Sequence, residues 1–170
     1  TELYHTPRSC YCGEVTRGDI DREIVVKGWV QNHRDHGGIY FVDLRDREGL
    51  LQVVFDPDEL MSEDFGQATR LKYESVIAVR GVVRDRLEGK VNPNMKTGEI
   101  ELLIKSFEVL SMSKTVPFPV DEYSMTTEDL RLKYRYLDLR RPQMFRMLAG
   151  RAHVCRIMRR VLDDKGFIEV

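Results

Sequence analysis

The order of the short apolar segments along this chain is the strongest indication of its fold. Three β-branched segments follow one another with only tight, glycine-containing turns between them, at residues 24–32, 39–46 and 50–55. Separations this short predict two antiparallel hairpins in series. Apolar residues at helical spacing then occur between residues 60 and 71. Two further strand patterns complete the series, at residues 75–84 and 99–110.

A three-stranded meander, a helix and then a hairpin is the order of an OB-fold, which is a five-stranded barrel. A plain five-stranded sandwich gives no reason to place a helix after the third strand. Gly28 and Gly81 fall inside strand patterns, where a small barrel needs sharp bends or bulges. The sequence therefore predicts a mainly β domain at residues 1–111, with a loose N-terminal arm at residues 1–12.

The charged residues divide the chain into regions of opposite sign. Residues 1–111 hold 15 lysines and arginines against 20 acidic residues, whereas residues 131–160 hold ten basic residues against Asp138 alone. This contrast predicts two structural units with different partners, although a basic stretch can also be a solvated helix face. Residues 112–130 contain two prolines and no clear period, which is typical of a hinge or linker.

A long helix is predicted at residues 142–164, because Pro142 suits a first helical turn and no proline follows it there. Its apolar residues form two stripes, as in a helix with partners on two sides. A strand is predicted to start at Phe167. Residues 131–170 therefore look like the truncated beginning of an α+β domain that continues past Val170.

Several function classes are excluded by what the sequence lacks. Three cysteines are too few for a disulfide framework, so a cytoplasmic location is expected. The three cysteines and four histidines do not have the spacing of zinc ligands, so no metal site is predicted. No apolar run approaches the roughly 20 residues that span a bilayer. No nucleophile with a plausible base can be assembled, so we predict no catalytic residue in this chain.

The second predicted strand nominates a residue for stacking on nucleic-acid bases. Side chains alternate between the two faces of a strand, so Val42 and Leu44 share a core-like face while Phe41 and Asp43 lie on the other. An aromatic ring among charges suits a wet binding surface, and OB-folds bind single strands on such a face. The alternative is that Phe41 only covers the edge of the barrel.

Further candidates for RNA binding lie in the third strand and near the loops. Gln52 is an amide between two apolar residues, and it can bond either a base edge or the backbone. The remaining candidates are Arg34, Asp35 and His36 at the end of the first strand, and Arg86 and Glu101 beside the long loop between the last two strands. For Arg34, Asp35 and His36, the alternative is a solvated hairpin tip.

Three stretches of this sequence resemble the bacterial-type aspartyl-tRNA synthetases of class IIb. They are GWVQNHRDHGGIYFVDLRDREGLLQVVFDP at 28–57, NPNMKTGEIEL at 92–102 and RLKYRYLDLRRPQM at 131–144. The resemblance implies an anticodon-binding OB domain, a hinge at 112–130 and the start of the catalytic domain at 131–170. It also implies that the region of the 142–164 helix forms a homodimer interface in the intact protein.

The resemblance implies an aspartate–tRNA ligase that activates aspartate with ATP and Mg2+ and transfers it to tRNA(Asp). The family's motifs that hold ATP, Mg2+ and aspartate lie beyond Val170. This chain alone is therefore expected to be inactive and to bind only tRNA.

The family also assigns roles to individual positions. By resemblance, Phe41 stacks on the middle anticodon base and Gln52 reads that base as a uridine, while Arg34, Arg86 and Glu101 contact the outer anticodon bases. Members restricted to tRNA(Asp) tend to carry leucine and lysine at the positions of His36 and Gly89. Histidine and glycine there imply a non-discriminating enzyme that also charges tRNA(Asn).

Two other interpretations of the sequence remain open. The chain could be a free-standing OB module that binds single-stranded nucleic acid through its sheet and dimerises through its helical tail. It could also be the N-terminal part of a lysyl- or asparaginyl-tRNA synthetase, which shares the architecture. The Arg141-Pro142 pair and the FDP sequence at 55–57 favour the aspartate enzyme.

Overall fold

The computed structural model of the protein describes residues 2–60, 62–87, 89–121, 123 and 125–170. Contacts within the chain divide it into two compact units, Thr1–Thr115 and Val116–Val170. None of the helices in the described ranges is long and apolar enough to cross a membrane.

The first unit is built on five strands that close into a barrel. They are β1 (Glu23–His36), β2 (Ile39–Arg45), β3 (Leu50–Phe55), β4 (Val76–Asp85) and β5 (Ile100–Ser111). Their order around the barrel is β1-β2-β3-β5-β4, with β4 paired back onto β1. Of these five neighbouring pairs, β3 and β5 are parallel, and the other four pairs are antiparallel. The predicted OB-fold is therefore confirmed.

The helices of the first unit lie before β1 and between β3 and β4. Helix α1 (Glu2–His5) starts the arm, and helix α2 (Ser62–Ala68) follows β3 as predicted. The sequence predicts a loose arm, and this prediction is wrong. Leu3 is buried against Val25 and Ala78, so burial of an apolar side chain attaches the arm to the sheet.

The two strand glycines allow neighbouring backbones to approach closely. A Cβ atom on Gly28 would lie 2.4 Å from the carbonyl oxygen of Arg45, and one on Gly81 would lie 2.2 Å from that of Leu103. The register of β4 against β5 also shifts next to Gly81, which is the predicted bulge. In β1 the shift lies between Val30 and Asn32 instead, so Gly28 serves only the close approach.

The second unit contains helices α3 (Glu128–Lys133), α4 (Arg135–Asp138) and α5 (Pro142–Asp163). Its small apolar core consists of Phe118, Val120 and Leu137. Helix α5 confirms the predicted long helix, and none of its residues is buried in this chain. The strand predicted from Phe167 is wrong for this chain, because residues 167–170 are not in strand conformation. A strand requires a neighbour for its backbone hydrogen bonds, and the sheet pairs of the described residues all join β1–β5.

A buried carboxylate joins the short helices of the second unit to the start of α5. The side chain of Asp138 is fully buried and accepts hydrogen bonds from Arg131 Nε at 2.8 Å and Arg135 Nη1 at 2.5 Å. Arg141 Nη1 lies 3.6 Å from the same carboxylate. Burial alone would raise the pKa of Asp138, but the hydrogen bond from Arg131 and the charges of the three arginines outweigh it and lower that pKa.

We expect the second unit to lose stability in acid because of Asp138. A carboxylate whose pKa is lowered by folding stabilises the folded state above its unfolded pKa of about 4, and this contribution disappears as the pH falls through the folded value. Melting temperatures measured between pH 7 and pH 2 test this for wild type and D138N. The gap between the two proteins should be largest near neutral pH and should close in acid. A difference in melting temperature that does not change with pH would show that the charge of Asp138 does not contribute to the stability of the second unit.

Candidate nucleic-acid interface

Strand β2 separates the interior of the barrel from a polar outer face. Val42 and Leu44 are fully buried in the core, whereas Phe41 and Asp43 are half-buried and point the other way. Tyr40 packs against the core, with its ring centroid 5.9 Å from that of Phe65. The predicted alternation along β2 is therefore confirmed, and it leaves Phe41 on the outer face.

A pocket of 420 Å³ lies on this outer face, beside the β1–β2 turn and the β4–β5 loop. Six of the sequence candidates line it: Arg34, His36, Phe41, Gln52, Arg86 and Glu101. The strands bring these residues together from positions up to 67 residues apart, because β3 and β5 are neighbours in the barrel. Single-stranded bases fit a pocket that combines an aromatic ring with polar side chains.

Asp35 and Gly89, the remaining two candidates, do not line the pocket. The carboxylate of Asp35 accepts a hydrogen bond of 2.9 Å from the backbone N–H of Gly38 and so supports the β1–β2 turn. Gly89 lies in the β4–β5 loop with a φ of +74°, and, its chain neighbours aside, no atom of the described residues lies within 4 Å of where its Cβ would be. Its neighbours Leu87 and Lys90 line the pocket, so a long side chain at position 89 would start close to it.

A continuous series of hydrogen bonds crosses the floor of the pocket. Arg34 Nη2 donates to Asp43 Oδ1 at 3.0 Å and to Gln52 Oε1 at 3.2 Å. Gln52 Nε2 donates to Glu101 Oε2 at 2.8 Å, and Arg84 Nε donates to Glu101 Oε1 at 2.9 Å. Gln52 and Glu101 are only 6% and 4% exposed. The amide of Gln52 thus bonds side chains rather than the backbone.

Burial also affects two further charged side chains at this site, Arg86 and Asp43. Arg86 is buried, and its Nε donates to the carbonyl oxygen of Ile100 at 3.1 Å. Burial lowers the pKa of its guanidinium, although arginine stays protonated in proteins. Burial also raises the pKa of Asp43, because it outweighs the opposing charges of Arg34 and Arg86. The pocket therefore contains charges of both signs.

The aromatic side of the pocket is formed by Phe41 and His36. Their ring centroids are 5.8 Å apart, and the ring planes are inclined at 74°. The two rings meet edge to face, so they do not stack on each other. Because Phe41 lines the pocket, it is the candidate for stacking on a planar base there.

Two residues of the hydrogen-bond series in the pocket, Asp43 and Arg84, were not among the candidates from the sequence. Asp43 had been assigned to the outer face but to no role. Arg84 shares the outer face with Glu101, its direct partner across β4 and β5. Its position next to the buried Val83 was a usable signal, since a charged residue beside a core residue in a strand belongs to the opposite face. Its partner could not be read from the sequence.

No group of histidine, cysteine, aspartate and glutamate side chains with the geometry of a metal site occurs among the described residues.

Family models match both units of the chain. Residues 24–110 match the family described as OB-fold nucleic acid binding domain. Residues 127–170 match the family described as tRNA synthetases class II (D, K and N). These two matches cover the barrel and helices α3 to α5.

Two curated relatives are similar to almost the whole chain. The aspartate–tRNA(Asp/Asn) ligase of Geotalea uraniireducens (strain Rf4) is 50% identical over 96% of this chain, and that of Endomicrobium trichonymphae is 47% identical over 96%. The chain spans only 27% and 28% of their lengths. These relatives confirm the resemblance to aspartyl-tRNA synthetases that the sequence motifs indicated.

The solved structures show the same fold. Aspartyl tRNA synthetase from Entamoeba histolytica superimposes with a TM-score of 0.86 at 19% identity, over 98% of this chain and 40% of that one.

Proposed function

The chain belongs to the family of OB-fold nucleic acid binding domains, and from that premise we propose that it is the anticodon-recognising part of an aspartate–tRNA ligase. The observation that carries the proposal is the pocket that is lined both by Phe41 and by Gln52 with its hydrogen-bonded amide. An aromatic ring stacks on an unstacked base, and an amide forms hydrogen bonds with the edge of that base. Together, the two side chains can recognise one base. The net charge of −5 over residues 1–111 supports recognition by placed residues rather than by bulk electrostatics.

The activity of the intact protein is part of the same proposal. It would activate aspartate with ATP and Mg2+ and transfer it to tRNA(Asp) in the cytoplasm, with the catalytic groups supplied by residues outside this chain. It would form a homodimer through the region of residues 142–164. The exposed apolar side chains of α5, such as Phe145, Leu148 and Met158, support such an interface.

Binding of anticodon stem-loops by the 170-residue chain tests the proposal. We expect the chain to bind a stem-loop with the aspartate anticodon more tightly than a stem-loop of the same length with an unrelated anticodon. Equal affinity for both, and for an unstructured single strand, would favour the alternative of a general single-strand-binding module. Preference for a lysine anticodon would favour the lysyl synthetase instead.

We also propose that the intact enzyme uses tRNA(Asn), which differs from tRNA(Asp) in having U instead of C as the third anticodon base. Two relatives at about 50% identity carry the name aspartate–tRNA(Asp/Asn) ligase. The imidazole of His36 has two ring nitrogens, which can donate or accept hydrogen bonds, and so it tolerates either base edge. Gly89 leaves open the space beside the pocket that a lysine would enter.

The double change His36→Leu with Gly89→Lys is therefore expected to reduce charging of tRNA(Asn) more than that of tRNA(Asp). A base edge left without a partner costs about 1–3 kcal/mol, which corresponds to a selective loss of roughly 5- to 150-fold. The measurement is aminoacylation, by the intact enzyme, of transcripts that differ only at the third anticodon base. A wild-type enzyme that strongly prefers C, or a double variant that loses both substrates equally, would contradict dual specificity.

A further inference from the structure

We propose that Glu101 and Arg84 determine which base the pocket accepts, by holding the amide of Gln52 in one of its two orientations. Arg84 acts here as a positioning residue that works through Glu101. The inference rests on the proposed function, because it concerns the base that the pocket would read at the middle anticodon position. It assigns the choice between uracil and cytosine to neighbours of Gln52 rather than to Gln52 alone.

An amide on its own does not distinguish uracil from cytosine. It carries a donor group and an acceptor oxygen of nearly the same size, and rotation by 180° exchanges them. Along the pairing edge, uracil presents an acceptor next to a donor, whereas cytosine presents a donor next to an acceptor. A glutamine that can rotate therefore matches either base in the same position.

The neighbours of Gln52 remove that freedom. Its Oε1 accepts a hydrogen bond from Arg34 Nη2, and its Nε2 donates to Glu101 Oε2. Rotation would turn the NH₂ group toward a guanidinium and the oxygen toward a carboxylate. Because Gln52 and Glu101 are 6% and 4% exposed, little water could compensate for these two mismatches. One N–H and one lone pair of the amide are left for a base, in a single order.

Arg84 holds Glu101 in the position that this requires. It lies directly opposite Glu101 across β4 and β5, and its Nε donates to Oε1 at 2.9 Å. The two oxygens of Glu101 thus have different partners, Arg84 for Oε1 and Gln52 for Oε2. With both oxygens engaged, the carboxylate of Glu101 is held facing Gln52.

The test compares two anticodon stem-loops that differ only in U or C at the middle position, using the 170-residue chain and its variants. Wild type should prefer U by about tenfold or more, as for a well-placed base-edge contact. Glu101→Gln replaces the carboxylate with a group that can donate or accept, so the preference should fall to within about threefold. Arg84→Gln should lower the preference in the same direction, while Arg84→Lys, which keeps a cation beside Glu101, should restore it.

Arg80→Gln is the matched control, because Arg80 is also an arginine of β4 but pairs with Glu2, outside the pocket. It should leave the preference for U unchanged. If Glu101→Gln and Arg84→Gln weaken binding of both stem-loops equally, the two residues contact RNA or support the fold without orienting Gln52, and the inference is overturned. A wild-type chain that binds neither stem-loop would overturn the proposed function and the inference together. A wild-type chain that binds both equally would overturn the inference alone.

Discussion

Replacing Phe41 by alanine is expected to weaken binding of an aspartate anticodon stem-loop by roughly 1–3 kcal/mol, which is about 5- to 150-fold in Kd. The ring lines the pocket on the outer face of β2, and the rings of Phe41 and His36 are edge to face rather than stacked. Its loss removes a stacking surface while leaving the barrel core intact. Titration of a labelled stem-loop gives the affinity, and thermal unfolding without RNA should change little.

Tyr40→Ala is the matched control for Phe41→Ala. Tyr40 is the preceding aromatic residue of the same strand, but it packs against the core and against Phe65. It should lower the melting temperature and leave RNA affinity near that of wild type at temperatures where the variant is folded. If instead Phe41→Ala lowers the melting temperature and binds RNA normally, Phe41 is a structural residue and the stacking role is wrong.

Gly81→Ala is expected to destabilise the barrel by about 3 kcal/mol. An added Cβ would lie 2.2 Å from the carbonyl oxygen of Leu103 and 2.9 Å from its carbonyl carbon. Both are backbone atoms of β5, so relief requires the two strands to move apart at the bulge rather than a side chain to rotate. Urea unfolding of wild type and variant measures the difference in the free energy of unfolding.

Gly66→Ala serves as the comparison for Gly81→Ala in the same unit. Gly66 lies within α2, and, apart from its own helix and chain neighbours, no atom of the described residues is within 4 Å of the position of its Cβ. Alanine there should be neutral or should stabilise the protein by roughly 0.5–1 kcal/mol, because it reduces the entropy of the unfolded chain. Equal urea midpoints for Gly81→Ala and wild type would mean that the approach of Leu103 to β4 does not constrain the barrel.

The element order and the inward-facing residues were predictable because they depend on neighbours in the sequence. Alternation along β2 and β3 places Val42, Leu44 and Val53 inside and Phe41 outside, whichever strands lie beside them. The strand at residues 167–170 was predicted from the same kind of pattern and is absent. Apolar composition favours an extended segment, but only a paired neighbour makes it a strand.

The contacts that specify the candidate site needed the tertiary structure. Gln52 and Glu101 are separated by 49 positions and meet because β5 pairs with β3 in parallel, although β4 lies between them in sequence. From the sequence, the amide of Gln52 could have bonded the backbone. In the structure it is buried and hydrogen-bonded to Arg34 and Glu101, which fix its orientation.

Alternation and helical spacing were enough to predict the OB-fold, the long helix α5 and the outer position of Phe41, because the side-chain period of a strand or helix is local. The tertiary structure decided that Asp35 supports a turn, that Arg84 joins the pocket and that Gln52 can present only one order of donor and acceptor. The physical reason is that hydrogen-bond partners and burial depend on which strands the closed barrel makes neighbours.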